Sequence, residues 1–286
     1  MAESLTGLAH AKVNLVLEVL GQRGDGYHEI DTVLQETELA DVVTVSPAAD
    51  WTITADGPRA AGVPLDETNL ALKAARLLAE RVRGSFPVTI SLEKHIPAAG
   101  GLGGGASDAA TTLRLLQRMW AAASDAELVA VANAIGSDEA FFLVGGTARA
   151  QGRGERVTRV PGLAPHDAVL FIPRETIDRK TARMFAAIDQ HAFDDGAVAR
   201  NFVENPPEVM TSALVFNAFE RVAFDLFPRL AELWADLEER TRMPVRLCGA
   251  GPCLFWIGRE GEGEYIAERA TGADCGVILT RTVNRE

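Results

Sequence analysis

The sequence has few cysteines and fewer basic than acidic residues, and each shortage excludes a class of protein. Three cysteines, Cys248, Cys253 and Cys275, are too few and too widely spaced for a disulfide framework or a clustered metal site. We therefore expect reduced thiols. The 28 basic residues face 40 acidic ones, so the formal net charge is -12. This balance argues against nucleic acid as the main partner, because phosphate binding needs clustered Lys and Arg.

The sequence also lacks a long apolar run, an internal repeat and a low-complexity segment. No apolar stretch approaches the roughly 18 residues that a membrane helix needs. The first residues, MAESLTGLAHAK, have no apolar signal core. We expect a cytoplasmic protein with no membrane partner, and a homodimer is compatible with the sequence.

Hydrophobic periodicity predicts a mixture of strands and helices. The first half begins with strands in which apolar and polar residues alternate. A helix in TNLALKAARLLAERV follows, and then a strand in PVTISLEKHIP that leads into a glycine-rich loop. The strands include IDTVLQETEL and DVVTVSP, predicted as separate short elements. Thr68 or Asn69 is expected to cap the first helix, and Ser124 with Glu127 predicts a capping box at the start of a later one. Apart from extra helices, the second half follows the order βαββαβ, which is typical of a ferredoxin-like domain. We expect an α+β protein with two domains, residues 1–162 and 163–286.

A cluster of glycines follows the strand that ends near Ile96. Five of the six positions from 100 to 105 are glycine, and a helix is predicted from about Ser107 to Ala122. Glycine in an ordered element costs roughly 0.5–1 kcal/mol relative to alanine, so such a cluster usually meets a need that side chains would obstruct.

Three ligand-binding or structural interpretations of this loop stay open, and a fourth fails. A Walker-type loop needs a Lys before Ser107, and none is present. GLGGGA fits a dinucleotide fingerprint formally, but Asp125 and Glu127 begin a helix rather than end a second parallel strand. A turn without ligand would use Ser107 and Asp108 as helix caps. A phosphate cradle would combine bare backbone N–H groups with the positive end of the helix.

Five segments in order along the chain resemble the GHMP kinases. The loop segment IPAAGGLGGGASDAATTLRLL is similar to the family's ATP loop. The other segments are AHAKVNLVLEVLGQRGDGYHEIDTVLQ, IGSDEAFFLVGGTARAQGRGE, VFNAFERVAFDLFPRLAEL and LCGAGPCLFW. The longer form of the loop resembles the branch that phosphorylates the 2-hydroxyl of a cytidine diphosphate derivative in the non-mevalonate route to isoprenoid precursors.

The resemblance implies a two-lobed fold, with an N-terminal mixed β/α lobe and a C-terminal ferredoxin-like lobe. It also implies an ATP- and Mg²⁺-dependent kinase whose partner is a small-molecule substrate. Two catalytic residues match the family: Asp138 as base or hydroxyl-orienting group, and Lys12 as the positive charge that screens the transferring phosphate. No residue is assigned as a metal ligand.

The resemblance also assigns binding residues. Those matching the ATP site are Pro97, Gly101, Leu102, Gly103, Gly104, Gly105, Ala106, Ser107, Asp108, Asn69 and Lys73. Those matching the substrate site are Asn14, Tyr27, His28 and Phe185, with Tyr27 stacking on the cytosine ring, His28 contacting its edge and Phe185 facing its other side.

Simpler structural roles compete with several of these assignments. Asp138 could cap the helix in EAFFLV, Lys12 could be a solvated surface charge, Phe185 could be a core residue, and the helix itself could explain Asn69 and Lys73. Asn217 and Glu220 are expected to be structural partners. Ala106, Glu139, Ala140 and Cys248 depart from the residues usual in the family.

Three alternatives of function stay open. One is a GHMP kinase that acts on a different small alcohol or phosphate, and another is a non-catalytic nucleotide-binding relative. The third is an oxidoreductase that uses the GLGGGA run, an interpretation that rests on that run alone.

Overall fold

The structure, a computed structural model, describes residues 3–98, 100–174, 180–189 and 191–285. Its strands are β1 Leu5–Gln22, β2 His28–Pro47, β3 Thr52–Asp56, β4 Val88–Glu93, β5 Thr147–Gly152, β6 Arg156–Arg159, β7 His166–Pro173, β8 Phe216–Asn217, β9 Arg246–Leu247, β10 Leu254–Arg259 and β11 Cys275–Arg281. Its helices are α1 Leu70–Ala79, α2 Gly104–Trp120, α3 Asp125–Ile135, α4 Glu139–Val144, α5 Lys180–Ile188, α6 Ala197–Glu204, α7 Glu220–Leu226, α8 Pro228–Thr241 and α9 Gly263–Arg269, with a short 3₁₀ helix at Ser212–Leu214.

The described residues form two compact units that both use the long strands β1 and β2. The first unit contains Met1–Ala11, Leu39–Ala98 and Gly103–Val144, and the second contains Lys12–Glu38, Ala99–Leu102 and Gly145–Glu286. Since each unit is assembled from separate parts of the chain, neither is a consecutive half. The division at 162/163 stays a prediction.

In the first unit, the end of β2 pairs antiparallel with β4, which pairs parallel with β3. Helices α1 to α4 pack on one another, and α2 lies against β1 near Gly7. Local signals explain the helix starts. The Asn69 side chain accepts from Ala71 N at 2.9 Å and begins α1, as predicted. Ser124 and Glu127 form the predicted capping box of α3.

In the second unit, an antiparallel sheet has the order β11-β7-β10-β9. Strands β7 and β10 are therefore central, which confirms the arrangement expected from βαββαβ. A core of buried apolar side chains joins this sheet, α5 and α7 to α9 with residues of β1 such as Leu17 and Val19. The α+β class is confirmed.

The prediction of two short strands for residues 30–47 was wrong, because β2 is continuous over 20 residues. The polar Asp41 does not mark a turn. It is buried, and its carboxylate accepts from the backbone N–H groups of His95 and Ile96 at 2.6 and 2.8 Å. The carboxylate thus ties β2 to the chain beyond β4.

Within the described part of the chain, none of the helices combines the length and apolar character that a bilayer span requires. All three cysteines are free, as expected, with Cys248 and Cys253 buried.

Candidate functional site

Helix α2 begins inside the glycine run. Gly103 precedes its first residue with a left-handed φ of 76°, and no side chain caps the helix. The helix therefore starts at Gly104, three positions before the predicted start. Ser107 and Asp108 lie within it, so the interpretation of these two residues as caps was wrong. Among the described residues, no side chain accepts from the backbone N–H groups of the first turn, which lie at the positive end of a 17-residue helix.

Most glycines of the loop are required by the protein itself, and Gly105 is not. A Cβ at Gly101, where φ is +84°, would clash with the carbonyl oxygen of Cys248. At Gly104 a Cβ would approach Ile96 Cγ2 to 3.0 Å. At exposed, helical Gly105 it would meet only Leu70 Cδ1, at an ordinary 3.5 Å. The bare backbone at Gly105 therefore suits a ligand rather than the fold.

Two buried oxygen atoms near the start of α2 have no hydrogen-bond partner within the described part of the chain. They are the hydroxyl oxygen of Ser107 and Oδ1 of Asp108. Hard oxygen atoms are the ligands that Mg²⁺ prefers, and Mg²⁺ usually binds through one or two protein groups plus substrate phosphates. These two residues therefore fit the Mg²⁺ that accompanies a nucleotide.

The other oxygen of Asp108 belongs to a buried charged cluster. Lys94 Nζ donates to Asp108 Oδ2 at 2.5 Å and also to Asp41 Oδ2. Burial raises the pKa of Asp108 to about 7, and the Asp41 charge adds to this, while the Lys94 ammonium opposes it. The cluster joins β2, the end of β4 and the first turns of α2.

Sequence reasoning missed Lys94 and Asp41. The two residues are 53 positions apart, and neither belongs to a motif. The antiparallel register that pairs Val42 with Glu93 brings them together. The only sequence signal is the position of Lys94 directly after a buried strand and before the glycine loop.

Asn69 is the N-cap of α1, and Lys73 lies within that helix. A Cβ at Gly105 would meet Cδ1 of Leu70, the first residue of α1, so the structure brings the start of α1 beside the start of α2. Both polar atoms of the Asn69 side chain are engaged within the protein, because Oδ1 caps α1 and Nδ2 donates to Pro64 O at 2.8 Å. Lys73 is exposed. Their ATP-binding roles stay predictions.

Lys12 is buried on β1 rather than solvated. It is only 4% exposed, and its Nζ donates to Asn14 Oδ1 at 2.7 Å. Asn14 is also buried, and its Nδ2 donates to Thr32 Oγ1 at 2.9 Å. A lysine is almost never buried unless it is paired, so this chain of contacts fixes a cation at a defined place.

A second glycine motif, residues 249–251, follows β9 and lies against Lys12 and Gly101. Gly249 has a φ of +54°, and a Cβ there would be 3.3 Å from both Lys12 Nζ and Asn14 Oδ1. The thiol of Cys248 donates to Gly101 O at 3.5 Å. Within the second unit, the structure therefore brings Lys12, Asn14 and Gly101 together around this motif.

Asn217, at the end of β8, and Glu220, the first residue of α7, bind the backbone around the same motif. Asn217 Nδ2 donates to Leu247 O at 2.9 Å and to Gly249 O at 2.8 Å. The Leu247 N–H donates to Glu220 Oε1 at 3.0 Å. Burial raises the pKa of Glu220 to about 7, although this hydrogen bond and the nearby Arg246 oppose the shift. These bonds give each of the two residues a structural role.

Asp138 lies in the first unit, directly before α4, and its carbonyl oxygen accepts from Phe141 N at 3.1 Å. It is half-buried. Glu139 is buried, and its carboxylate lies against Gly136, where a side chain would have no space. The catalytic roles of Asp138 and Lys12 stay predictions.

Two of the predicted base-binding residues, His28 and Phe185, form a stacked pair in the second unit. The rings of His28 and Phe185 are stacked at 4.3 Å with an interplanar angle of 18°. Phe185 also meets Phe219 edge-on at 4.9 Å, so it packs against the core as well. Tyr27 is 50% exposed, and the Arg153 guanidinium lies 5.0 Å from its ring centroid. The contacts bring His28 and Phe185 together and leave about half of Tyr27 exposed.

Comparisons with known proteins agree on one family. Residues 69–146 match the GHMP kinases N terminal domain. A protein of Dehalococcoides mccartyi named 4-diphosphocytidyl-2-C-methyl-D-erythritol kinase is 38% identical over 88% of this chain and 89% of its own length. A protein of the same name from Pelotomaculum thermopropionicum is 36% identical over 98% of both chains.

Solved structures give the same fold. A crystal structure of 4-(cytidine 5'-diphospho)-2C-methyl-D-erythritol kinase aligns over 98% of this chain and 100% of its own, with 32% identity and a TM-score of 0.78. A homoserine kinase from Cytophaga hutchinsonii aligns over 99% of this chain and 96% of its own, with 16% identity and a TM-score of 0.70. The second likeness concerns the fold alone.

Proposed function

The chain belongs to the GHMP kinase family, and we propose that it transfers the γ-phosphoryl group of ATP to the 2-hydroxyl of 4-diphosphocytidyl-2-C-methyl-D-erythritol, in the non-mevalonate route to isoprenoid precursors. It is an ATP-dependent small-molecule kinase. The observation that carries the choice of substrate is its similarity, over 98% of both chains, to a relative of that name.

The start of α2 supports ATP binding. Phosphoryl transfer requires little covalent work from a protein and depends on alignment and on stabilisation of phosphate charge. The first-turn N–H groups and the open space at Gly105 suit phosphate oxygens. When bound through Ser107 and Asp108, Mg²⁺ would supply positive charge for those oxygens. Pro97, Leu102, Ala106, Asn69 and Lys73 are proposed to complete the ATP site.

We assign the chemical step to Asp138 and Lys12. The substrate's 2-hydroxyl oxygen forms a bond to the γ-phosphorus while the bond between that phosphorus and the leaving oxygen of ADP breaks. Asp138 orients the hydroxyl and takes its proton, and Lys12 stabilises the charge on the transferring group. The burial of Lys12 and its contact with Asn14 support this role, because the ammonium is held at one place.

The predicted base-binding residues support recognition of the cytidine end of the substrate. Exposed Tyr27 offers a ring face on which a flat base can stack. His28 offers a polar edge beside it, Phe185 supports the His28 ring, and Asn14 is proposed to reach the substrate near Lys12.

Three further features belong to the proposal. Cytoplasmic localisation is consistent with the three free cysteines, because disulfides are rare in that compartment. The division into an ATP-binding domain, residues 1–162, and a second domain, residues 163–286, follows the family. The third feature is a homodimer, which light scattering during gel filtration would test by measuring the molar mass of the particle.

The test measures ADP formation from Mg-ATP with the cytidyl substrate and, in parallel, homoserine, mevalonate and phosphomevalonate. We expect turnover on the cytidyl substrate, with the phosphate on its 2-position by ³¹P NMR. Turnover only on another alcohol would leave the family assignment unchanged and would show that the substrate is a different one. Nucleotide binding without any turnover would favour the non-catalytic alternative.

A variant tests the role of Asp138 in the same assay. Asp138→Asn should lower kcat by about 10²–10⁴-fold, since that is the usual contribution of a general base, and leave ATP affinity nearly unchanged. Asp50→Asn, which alters an exposed carboxylate of the same unit, is the control. Normal turnover by Asp138→Asn would contradict the assignment.

A further inference from the structure

His28 has a partner that the family resemblance did not assign. Asp189 follows the end of α5, and its Oδ1 lies 2.8 Å from His28 Nε2. The His28 side chain is 8% exposed, while that of Asp189 is 26% exposed. The pair therefore combines a buried imidazole with a partly solvated carboxylate.

The imidazole is fixed in place by one turn of chain. Phe185 and Asp189 are four residues apart, and the backbone N–H of Asp189 donates to Phe185 O at 3.1 Å. Phe185 covers one face of the His28 ring, and Asp189 bonds to its Nε2. The ring cannot turn over without losing the bond to Asp189 and disturbing the stack on Phe185.

This arrangement decides which ring nitrogen carries the proton. An ionised carboxylate only accepts hydrogen bonds, so Nε2 must be the donor to Asp189. In a neutral imidazole, the other nitrogen then has a free lone pair. No described residue donates to or accepts from Nδ1 of His28 in the structure. His28 therefore presents an acceptor to its surroundings.

We propose that Asp189 is a positioning residue that fixes the Nε2–H form of His28 and thereby makes the base site select cytosine over uracil. The inference rests on the proposed function, which puts a pyrimidine edge at His28. Position 4 of cytosine carries an amino group, which donates to a lone pair. Position 4 of uracil carries a carbonyl oxygen, which would face that lone pair without a hydrogen bond, and an unpaired polar contact of this kind is costly.

The first test observes the ring itself and requires no substrate. Long-range ¹H–¹⁵N spectra at pH 8 should show the proton of His28 on Nε2, with the resonance assigned by its loss in His28→Asn. Asp189→Ala should give a mixture of the two neutral forms. Asp189→Asn retains an oxygen acceptor and should restore part of the Nε2–H form.

The second test measures base selection by calorimetry with cytidine 5'-diphosphate and uridine 5'-diphosphate. The unaltered chain should prefer the cytidine compound by about tenfold or more, since sites built around a hydrogen bond reject analogues that lack it. Asp189→Ala should lose most of this preference, and Asp189→Asn should recover part of it. Asp225→Ala removes an exposed carboxylate of α7 and should change neither affinity.

Kinetics separate positioning from general damage. Asp189→Ala should raise KM for the cytidyl substrate and leave kcat within about twofold, because it removes an interaction present in both ground and transition states. An equal loss of affinity for both nucleotides would overturn the proposal, as would a His28 proton that stays on Nε2 in Asp189→Ala. Should this variant fail to fold, a cytidine preference in Asp189→Asn no larger than that of Asp189→Leu would overturn it as well.

The outcomes also distinguish this inference from the proposed function. Turnover of the cytidyl substrate with selection that does not depend on Asp189 would reject only the inference. Cytidine preference that depends on Asp189, in a chain that does not phosphorylate the cytidyl substrate, would reject the proposed function and keep the base-selecting pair.

Discussion

At the scale of single residues, Gly105 separates what the fold needs from what a ligand needs. A side chain there would be exposed, helical and in ordinary contact with Leu70, whereas at Gly104 it would press on Ile96. Glycine is thus needed at two adjacent positions for different reasons. At Gly104 the reason is packing against Ile96, and at Gly105 it is space for a phosphate.

We predict that Gly105→Ala keeps or raises stability, by up to about 0.5–1 kcal/mol, because alanine is favoured over glycine in a helix. The same change should weaken ATP binding about tenfold or more, because the methyl group would occupy space beside the first-turn N–H groups. Chemical denaturation and ATP titration measure the two effects. Gly104→Ala is the contrast and should lose stability; unchanged ATP affinity in Gly105→Ala would contradict the phosphate site.

Single residues also define the limit of prediction from the sequence. The glycine run and Ser107 could be found because their types and spacing repeat a known motif. Asp41 and Lys94 could not, since their contact depends on the register of β2 against β4. Lys12 was found by its motif, but its burial, which rules out a solvated charge, required the structure.

At the scale of elements, the start of α7 fixes the glycine motif between β9 and β10. Glu220 accepts from Leu247 N through Oε1, and its Oε2 lies 3.5 Å from an Arg246 nitrogen. Because burial raises the Glu220 pKa to about 7, this support is sensitive to pH in the neutral range.

The sign of this effect follows from linkage. The pKa of Glu220 is higher in the folded chain, about 7, than the ordinary 4.5, so between these values the folded state binds more protons than the unfolded state. Glu220 therefore makes the free energy of unfolding fall as pH rises from about 4.5 to 7, by a total of about 3 kcal/mol, and the fall ends above that range.

We predict that Glu220→Gln removes this contribution while its amide oxygen still accepts from Leu247 N. The difference in unfolding free energy between the variant and the unaltered chain should move in favour of the variant from pH 5 to pH 8. Urea denaturation at several pH values measures it. Glu239→Gln, on the exposed side of α8, should give a constant difference, and a constant difference for Glu220→Gln would exclude the predicted titration.

Elements with strong local signals could be predicted from the sequence, and those set by tertiary contacts could not. The caps at Asn69 and Ser124 gave the starts of α1 and α3. The start of α2 was predicted too late, because a glycine run normally indicates a loop. Strand β2 was divided in two at Ala40, and the partners of the buried Asp41 that follows are distant in the sequence.

At the scale of the whole molecule, the order of elements was predictable and the membership of the two units was not. The order βαββαβ led to the sheet β11-β7-β10-β9. However, residues 12–38 of β1 and β2 belong to the same unit as residues 145–286. No local pattern indicates this, because the strands are far from that part of the chain in sequence.

This interleaving predicts that the fragment 163–286 does not fold alone. Leu17 and Val19 are buried in one core with Phe171, Val222 and Trp234, and the fragment would lack them as well as β5 and β6. Burial of each such side chain contributes about 1.5–3 kcal/mol against a total stability of only about 5–15 kcal/mol. We expect no cooperative thermal transition by circular dichroism and poor dispersion in ¹H–¹⁵N spectra, with the full chain as the control. A cooperative transition in the fragment would instead support the division at 162/163, and would mean that the second sheet and its helices are stable without the strands of the N-terminal part.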